Sequence, residues 1–240
     1  MKRRIFILPL VLFLFASIAA AAAPKKEPPC KPSLAKCPVT GCGGAKIDKN
    51  LNRRKNIRTL PAGTPEDMTI DQMKALTDPV NGFARGDTRE KLIALGEGKT
   101  IRVVALALVV RPGGKESCNC GLTGVANTDN HIVLIDPSDT SPSLEADEPD
   151  SETAEFTPRV RKTHPNLSRA KLKPLIDAAP NNALKVRVTG VLMFDSEHSL
   201  GHHLKRKNNW EIHPVFGLEY CPKNKTCAAD SNTNWRNIEQ

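Results

Sequence analysis

Residues 100–111 read Thr-Ile-Arg-Val-Val-Ala-Leu-Ala-Leu-Val-Val-Arg and are stopped by Pro112-Gly113-Gly114. A run this rich in β-branched residues predicts a long strand rather than a helix. A second strand is predicted over 131–136. A weaker third covers 154–162, where Pro158 argues for an edge position. Residues 185–195 alternate as Val186, Val188, then Val191 and Met193 after Gly190. They predict a fourth strand, with a bulge or tight bend at the glycine. Residues 209–221 predict the fifth. Between the third and fourth, residues 167–179 carry Leu172, Leu175 and Ile176 at helical spacing, with Ser168 as N-cap and Pro180 beyond the end. Pro174 in that helix implies a kink or a later start. Upstream, Thr64-Pro65-Glu66-Asp67 predicts a short helix over 65–76. A second short helix is predicted over 87–95, ended by Gly96.

The order β-β-β-α-β-β predicts a mostly β fold: an OB-fold-like five-stranded Greek-key barrel with a helix between strands three and four, plus an irregular N-terminal arm. Another small barrel or an α+β sheet is the competing arrangement. The chain divides into a signal peptide (1–22), a basic Cys/Pro-rich arm (23–60), a short helical linker region (61–98), the barrel (99–221) and a C-terminal tail (222–240).

Lys2, Arg3 and Arg4 precede an apolar run over 5–18 and then the alanines 19–23. This is the layout of a secretory signal peptide cleaved near Ala20–Ala23. An uncleaved anchor is the other reading, and no second segment is long and apolar enough to span a bilayer. The expected address is therefore periplasmic or secreted. Seven cysteines, Cys30, Cys37, Cys42, Cys118, Cys120, Cys221 and Cys227, then read as disulfide formers, and the odd count leaves one over. Cys221–Cys227 and Cys37–Cys42 are candidates for local closure. A bond within Cys118-Asn119-Cys120 would be strained, so these two are expected to pair elsewhere or bind metal.

Charge sharpens the picture. The formal net charge is +9, but residues 24–60 hold ten bases against two acids, and 61–240 hold 22 bases against 24 acids. The basic character thus belongs to the arm, densest at Arg53, Arg54, Lys55 and Arg58. These residues are candidates for contact with an anionic surface or nucleic acid, with a solvated linker as the alternative. Residues 136–155 carry eight acids and no base, which predicts a solvated, mobile loop.

No phosphate-binding loop, nucleophile elbow, H-E-x-x-H or C-x-x-C motif is present. The candidate chemistry lies on strands four and five. Period two puts Glu211 and His213 on one face and Trp210 and Ile212 on the other. Asp195, Glu197 and His198 end strand four, and His202, His203, Lys205 and Arg206 lie in the connecting loop. Ligand binding is expected at Glu197, His198, Glu211, His213, Arg187 and Arg206. Asp195, Glu197, His198 and His213 are candidate ligands of a divalent ion such as Zn²⁺, Mn²⁺ or Ca²⁺, with Asp129 and His131 able to add to the set. The competing reading is structural, with Glu211 and His213 pairing with neighbours and Arg187 to close the barrel. The near-neutral barrel and its few aromatics, of which Trp210 and Phe194 suit the core, argue against a dedicated single-strand nucleic-acid binder.

The stretch Val186-Arg187-Val188-Thr189-Gly190, the segment Asp195-Ser196-Glu197-His198 and the strand Trp210-Glu211-Ile212-His213-Pro214 resemble a group of exported bacterial OB-fold-like proteins of uncharacterised function. Glu116-Ser117-Cys118-Asn119-Cys120 and Thr157-Pro158-Arg159-Val160-Arg161 add to the likeness, which covers residues 100–221. In that group an Arg-rich element precedes the Trp; Lys205-Arg206-Lys207 stands there in this chain. The resemblance implies the barrel and an extracytoplasmic address, and no activity. The sequence thus predicts an exported, non-catalytic OB-like binding module. The alternatives are a metal-dependent hydrolase of nuclease or phosphodiesterase type, built on Asp195, Glu197 and Glu211 with Arg187 or Arg206, and an envelope-associated protein that binds anionic surfaces through its arm.

Overall fold

The computed structural model describes residues 30, 33–42, 47–79, 88–198 and 205–240. Within them lie strands β1 (Glu66–Met68), β2 (Thr100–Pro112), β3 (Asn130–Ile135), β4 (Glu152–Phe156), β5 (Leu184–Phe194), β6 (Trp210–Tyr220) and β7 (Arg236–Asn237). The helices are α1 (Lys49–Lys55), α2 (Ile70–Lys74), α3 (Glu90–Ala94), α4 (Leu144–Asp147) and α5 (Arg169–Asp177).

The long apolar strand organises everything else. β2 pairs along most of its length with antiparallel β5, and its C-terminal half pairs with antiparallel β3. A register shift between Ala107 and Val109 lets it curl from one partner to the other. The strands follow the order β2-β3-β4-β6-β5, and β5 returns to β2. This closes a five-stranded OB-like barrel, with parallel pairing of β4 and β6 and α5 between its third and fourth strands. The interior is filled by Val103, Ile132, Phe156, Val188, Ile212 and Leu218, with Leu172 and Ile176 of α5 packed against them. Trp210 is fully buried, in an edge-to-face contact with Phe194 at 5.3 Å, and its indole N–H donates to Thr77 O.

β5 and β6 shift register on both sides of Gly190. A Cβ there would lie 2.5 Å from Ile212 Cγ2 and 2.6 Å from Pro214 O. Pro214 sits in the same irregular stretch, between the paired residues Ile212 and Val215, where no ladder N–H is required. Gly190→Ala is therefore expected to cost about 1–3 kcal/mol by overpacking against backbone. A thermal melt unchanged from the parent would show that the strand yields without strain.

Several predicted boundaries give way. The helix expected over 65–76 is instead a strand, β1, parallel to β2, followed by α2. The cap is Thr69, not Thr64: its hydroxyl accepts from Gln72 N while Gln72 Oε1 accepts from Thr69 N. The second short helix is α3, starting at Glu90; residue 87 lies outside the described residues. The third barrel strand ends at Phe156, so Pro158 follows it, and β4 is paired on both sides rather than at an edge. Pro174 is accommodated inside α5.

The acidic run over 136–155 is not one mobile loop. It contains α4 and most of β4, with Glu148, Glu152 and Glu155 buried. The arm is not irregular throughout either. Its basic segment forms α1, whose Leu51, Asn52 and Lys55 are buried. Asp48 caps it, accepting from the N–H groups of Asn50 and Leu51. The C-terminal tail adds β7 to β6 and buries Trp235 and Ile238.

Three disulfides form: Cys30–Cys42, Cys37–Cys120 and Cys221–Cys227. The local Cys221–Cys227 closure is as expected, and Cys37–Cys42 is not made. Cys120 pairs far away in sequence, and Cys118 remains a buried free thiol. Such bonds persist in oxidising compartments. No helix among the described residues is long and apolar enough to cross a membrane.

Candidate functional site: a buried carboxylate–imidazole cluster

Strand alternation places Glu211 and His213 on one face of β6, while Trp210 and Ile212 fill the core. The face carrying Glu211 and His213 is not solvated; both residues are fully buried. The reason lies in β4. Its parallel register sets Thr153 opposite Glu211, which carries Glu155 towards His213. Asp129, just before β3, completes the group.

His213 Nδ1 lies 3.1 Å from Glu211 Oε1 and 3.2 Å from Glu155 Oε2, and its Nε2 is 3.8 Å from Asp129 Oδ2. Asp129 Oδ1 accepts from Asn119 Nδ2. Arg206 bridges two carboxylates: Nη1 donates to Glu211 Oε2 at 2.7 Å and Nη2 to Asp195 Oδ2 at 3.0 Å. Asp195 also bonds His198 Nδ1. On the other flank, Lys55 Nζ donates to Glu116 Oε2 at 3.1 Å, and the Cys118 thiol donates to the same oxygen. His131 Nε2 stands 3.9 Å from Glu116 Oε1 and 3.5 Å from Glu155 Oε1. A cleft of about 230 Å³ opens on this network, lined among others by Lys55, Glu116, His131, Glu155, Asp195 and Arg206. The Arg111–Glu148 ion pair also lines it.

Among the described residues, the five carboxylates Glu116, Asp129, Glu155, Asp195 and Glu211 thus share one region with two buried permanent cations, Lys55 and Arg206. Burial of unpaired charge is costly, and the titrations follow from it. Burial pushes the His213 imidazolium down, but Glu155 and Glu211 more than offset this and hold its pKa well above the usual imidazole range. Burial raises Glu155, yet His131, His213 and Lys55 keep it far below the usual carboxylate range. Asp195 is held low against its burial by Lys55, His198 and Arg206. Asp129 goes the other way. Burial, reinforced by Glu116, pushes its carboxyl up to about 7. On the opposite face of β4, burial raises Glu152 to about 8, and neither of its oxygens has a hydrogen-bond partner.

Buried atoms in this region that lack a hydrogen-bond partner include Asp129 Oδ2, His131 Nε2, His213 Nε2 and Arg206 Nε, while Glu155 Oε2 has the His213 Nδ1 contact at 3.2 Å. Asp129, Glu155 and His213 offer ligand atoms within 4.8 Å of one another, and so do Glu116, His131 and Glu155. Lys55 already neutralises Glu116, which leaves the Asp129–Glu155–His213 set as the better cation seat. Its two carboxylates and one imidazole suit Zn²⁺ or Mn²⁺ better than Ca²⁺, which prefers oxygen alone.

The ion ligands expected from sequence are only partly brought together. Among the described residues, Asp195, Glu197, His198 and His213 do not form one ligand group. Asp195 and His198 pair with each other at the cleft mouth, while His213 turns to Glu155 and Asp129. Glu197 donates its backbone N–H to Asp195 Oδ1 and does not line the cleft. Arg187 is elsewhere. It makes a bidentate pair with Glu219 and lies 5.0 Å over the Trp235 ring, so it neither binds here nor closes the barrel on Glu211. Lys55 is a buried part of the site rather than of an anionic-surface patch; Arg53 and Arg58 stay exposed and Arg54 is half-buried. His202 and His203 lie outside the described residues. Asp129 and His131 do join the cluster. Sequence reasoning missed Glu155, Glu116 and Lys55. The signal for Glu155 was a charged residue in strand alternation with Ala154 and Phe156, on a strand that the OB order flanks on both sides.

The fold and site together define an OB-like barrel that carries a buried carboxylate–imidazole cluster beside an open cleft. Compared with protein families, curated proteins and solved structures, the chain finds no match.

Proposed function

We propose that this chain is an exported OB-like binding module that seats a divalent cation at Asp129, Glu155 and His213. The adjoining cleft then takes an anionic ligand. The observation that carries the reading is the pair of partnerless buried atoms Asp129 Oδ2 and His213 Nε2, with a Glu155 oxygen in the same ligand group, in a region where carboxylates outnumber permanent cations. A divalent ion would supply the missing charge and the missing partner together. The exposed Lys205 lines the cleft beside it and would favour a negatively charged ligand. Export rests on the N-terminal pattern and the disulfides, and the mature N-terminus of secreted protein tests it.

Elemental analysis of the purified protein, with calorimetric titration of Zn²⁺, Mn²⁺ and Ca²⁺, tests the cation seat. Glu155→Gln should weaken binding by about 100-fold or more, since it removes a central ligand. Equal affinity in the variant, or no binding to the parent, would refute the seat. Binding should also release protons and strengthen as pH rises through about 7 and beyond, because Asp129 must give up its proton to act as a ligand and the His213 imidazolium must lose its own.

The open cleft directly beside the carboxylates favours one second reading, a metal-dependent hydrolase of the phosphodiesterase type. Cleavage of nucleic acid or a chromogenic phosphodiester with Mg²⁺, Mn²⁺ or Ca²⁺ present, lost in Glu155→Gln, would select it. Cation binding without turnover selects the binding module.

A further inference from the structure

A second, smaller cavity of about 140 Å³ is lined by Arg58, Arg159, Lys162 and Thr163, none of which lines the cleft. Three of its four walls are cationic and none is acidic. Among the described residues, Arg58, Arg159 and Lys162 make no ion pair, whereas Arg89, Arg102, Arg111, Arg187 and Arg206 all do. Three neighbouring cations without an ion-pair partner repel one another.

Arg159 is the informative member. It follows β4 in the turn Thr157-Pro158-Arg159 and is 4% exposed. Its Nη2 is committed to three carbonyls, those of Cys37, Pro38 and Cys118. These bonds fix the guanidinium plane. Its Nε is buried and has no partner. Burial and then the neighbouring Arg58 both push its pKa down, while Cys118 and Asp129 favour the charged form from the barrel side. Arg58 comes from the segment after α1 and Lys162 from the short 3₁₀ turn Val160–Lys162, so two separate parts of the chain converge on the fixed guanidinium. A buried guanidinium held by three carbonyls and flanked by two exposed cations gathers positive charge around one cavity, the electrostatic requirement for an oxyanion.

We infer that the Arg58–Arg159–Lys162 cavity is an oxyanion site that takes a phosphate group. Asp129, Glu155 and His213 do not line this cavity, although Asp129 acts on Arg159 through space. The phosphate could be free or carried on a lipid headgroup, and the donor chemistry is the same for both.

The test uses the full mature chain in EDTA at low ionic strength, so that the outcome does not depend on the cation seat. Inorganic phosphate is titrated while the Arg159 Nε–Hε resonance is followed by NMR. In parallel, phosphatidylglycerol vesicles are compared with phosphatidylcholine vesicles by sedimentation. Saturable phosphate binding with a shift of the Arg159 resonance is the expected result. Arg58→Gln/Lys162→Gln, which alters only exposed side chains, should weaken it by about tenfold or more with the melting temperature unchanged. Phosphatidylglycerol-selective binding that inorganic phosphate displaces would assign the site to a headgroup; phosphate binding without it assigns the site to the free ion. Absence of saturable binding in both arms, or equal affinity in the double variant, would overturn the inference.

Discussion

Arg206→Met is expected to destabilise the fold by about 3–5 kcal/mol at pH 7, the cost of breaking a buried ion pair from one side. The guanidinium is 7% exposed and makes one charge-assisted bond to each of two carboxylates, Glu211 and Asp195. Methionine fills much of the space but leaves both carboxylates without their shared donor, with Glu155 close by. Arg206→Lys should fall between the two, because a single ammonium cannot reproduce a planar fork that spans two acceptors. The pH dependence gives a sharper signature. Asp195 titrates in the folded state well below its unfolded value, so its contribution is complete above about pH 4 and is lost as pH falls. His213 has the opposite sign. Its folded pKa is raised, so its contribution is complete below about pH 6.5 and is lost as pH rises through the folded value. The difference between parent and Arg206→Met should therefore be largest near neutral pH and shrink in acid, where Asp195 protonates in the variant first. Urea unfolding at pH 7 and pH 4 measures it. A constant difference across that range would mean that Arg206 acts by packing alone.

Much of the barrel is legible in the chain because its strands are strongly patterned locally. The run Thr-Ile-Arg-Val-Val-Ala-Leu-Ala-Leu-Val-Val-Arg, the alternation broken by Gly190 and the strand beginning at Trp210 each carry their own period and their own stop. What fails is decided by longer-range pairing. Residues 66–68 have a helix-start pattern, yet they become a strand because β2 offers them an edge, and the cap passes to Thr69. Lys55 sits in a basic run that looks solvated until α1 docks and buries it beside Glu116. Glu155 looks like one more acid in an acidic stretch until the parallel β4–β6 pairing sets it against His213. Glu211, His213 and Asp195 could be singled out because alternation and strand ends are local features. Their partners Glu155, Glu116 and Lys55 arrive from strands and helices far away in sequence. Arg187 fails for a local reason: the register opposes it to Glu219, on a part of β6 well past His213.

That docking of the arm leads to the other large effect. Opening Cys37–Cys120 with Cys37→Ser/Cys120→Ser is expected to cost about 4.5 kcal/mol on the loop-closure relation, because the bond spans a sequence separation of 83 residues. The same treatment of Cys221–Cys227, separated by six, should cost about 2.4 kcal/mol, so the two double variants differ by about 2 kcal/mol. The long-range bond also organises the site. It pins the arm to the Cys118–Cys120 turn, where Asn56 Nδ2 donates to the carbonyls of Val39 and Cys118, and Asn52 Nδ2 to Thr40 O and Ser117 Oγ. These contacts hold α1 in place, and α1 delivers Lys55 to Glu116. With the bond gone, part of this docking should be lost below the global unfolding transition, leaving Glu116 without its ammonium beside Glu155 and Asp129. The Cys37→Ser/Cys120→Ser variant should thus bind a divalent cation more tightly than the parent while unfolding at a lower urea concentration. The Cys221→Ser/Cys227→Ser variant should change stability alone. If both variants lose the same stability and keep the parental cation affinity, the arm does not hold Lys55 in the cluster, and the disulfide acts on the unfolded chain alone.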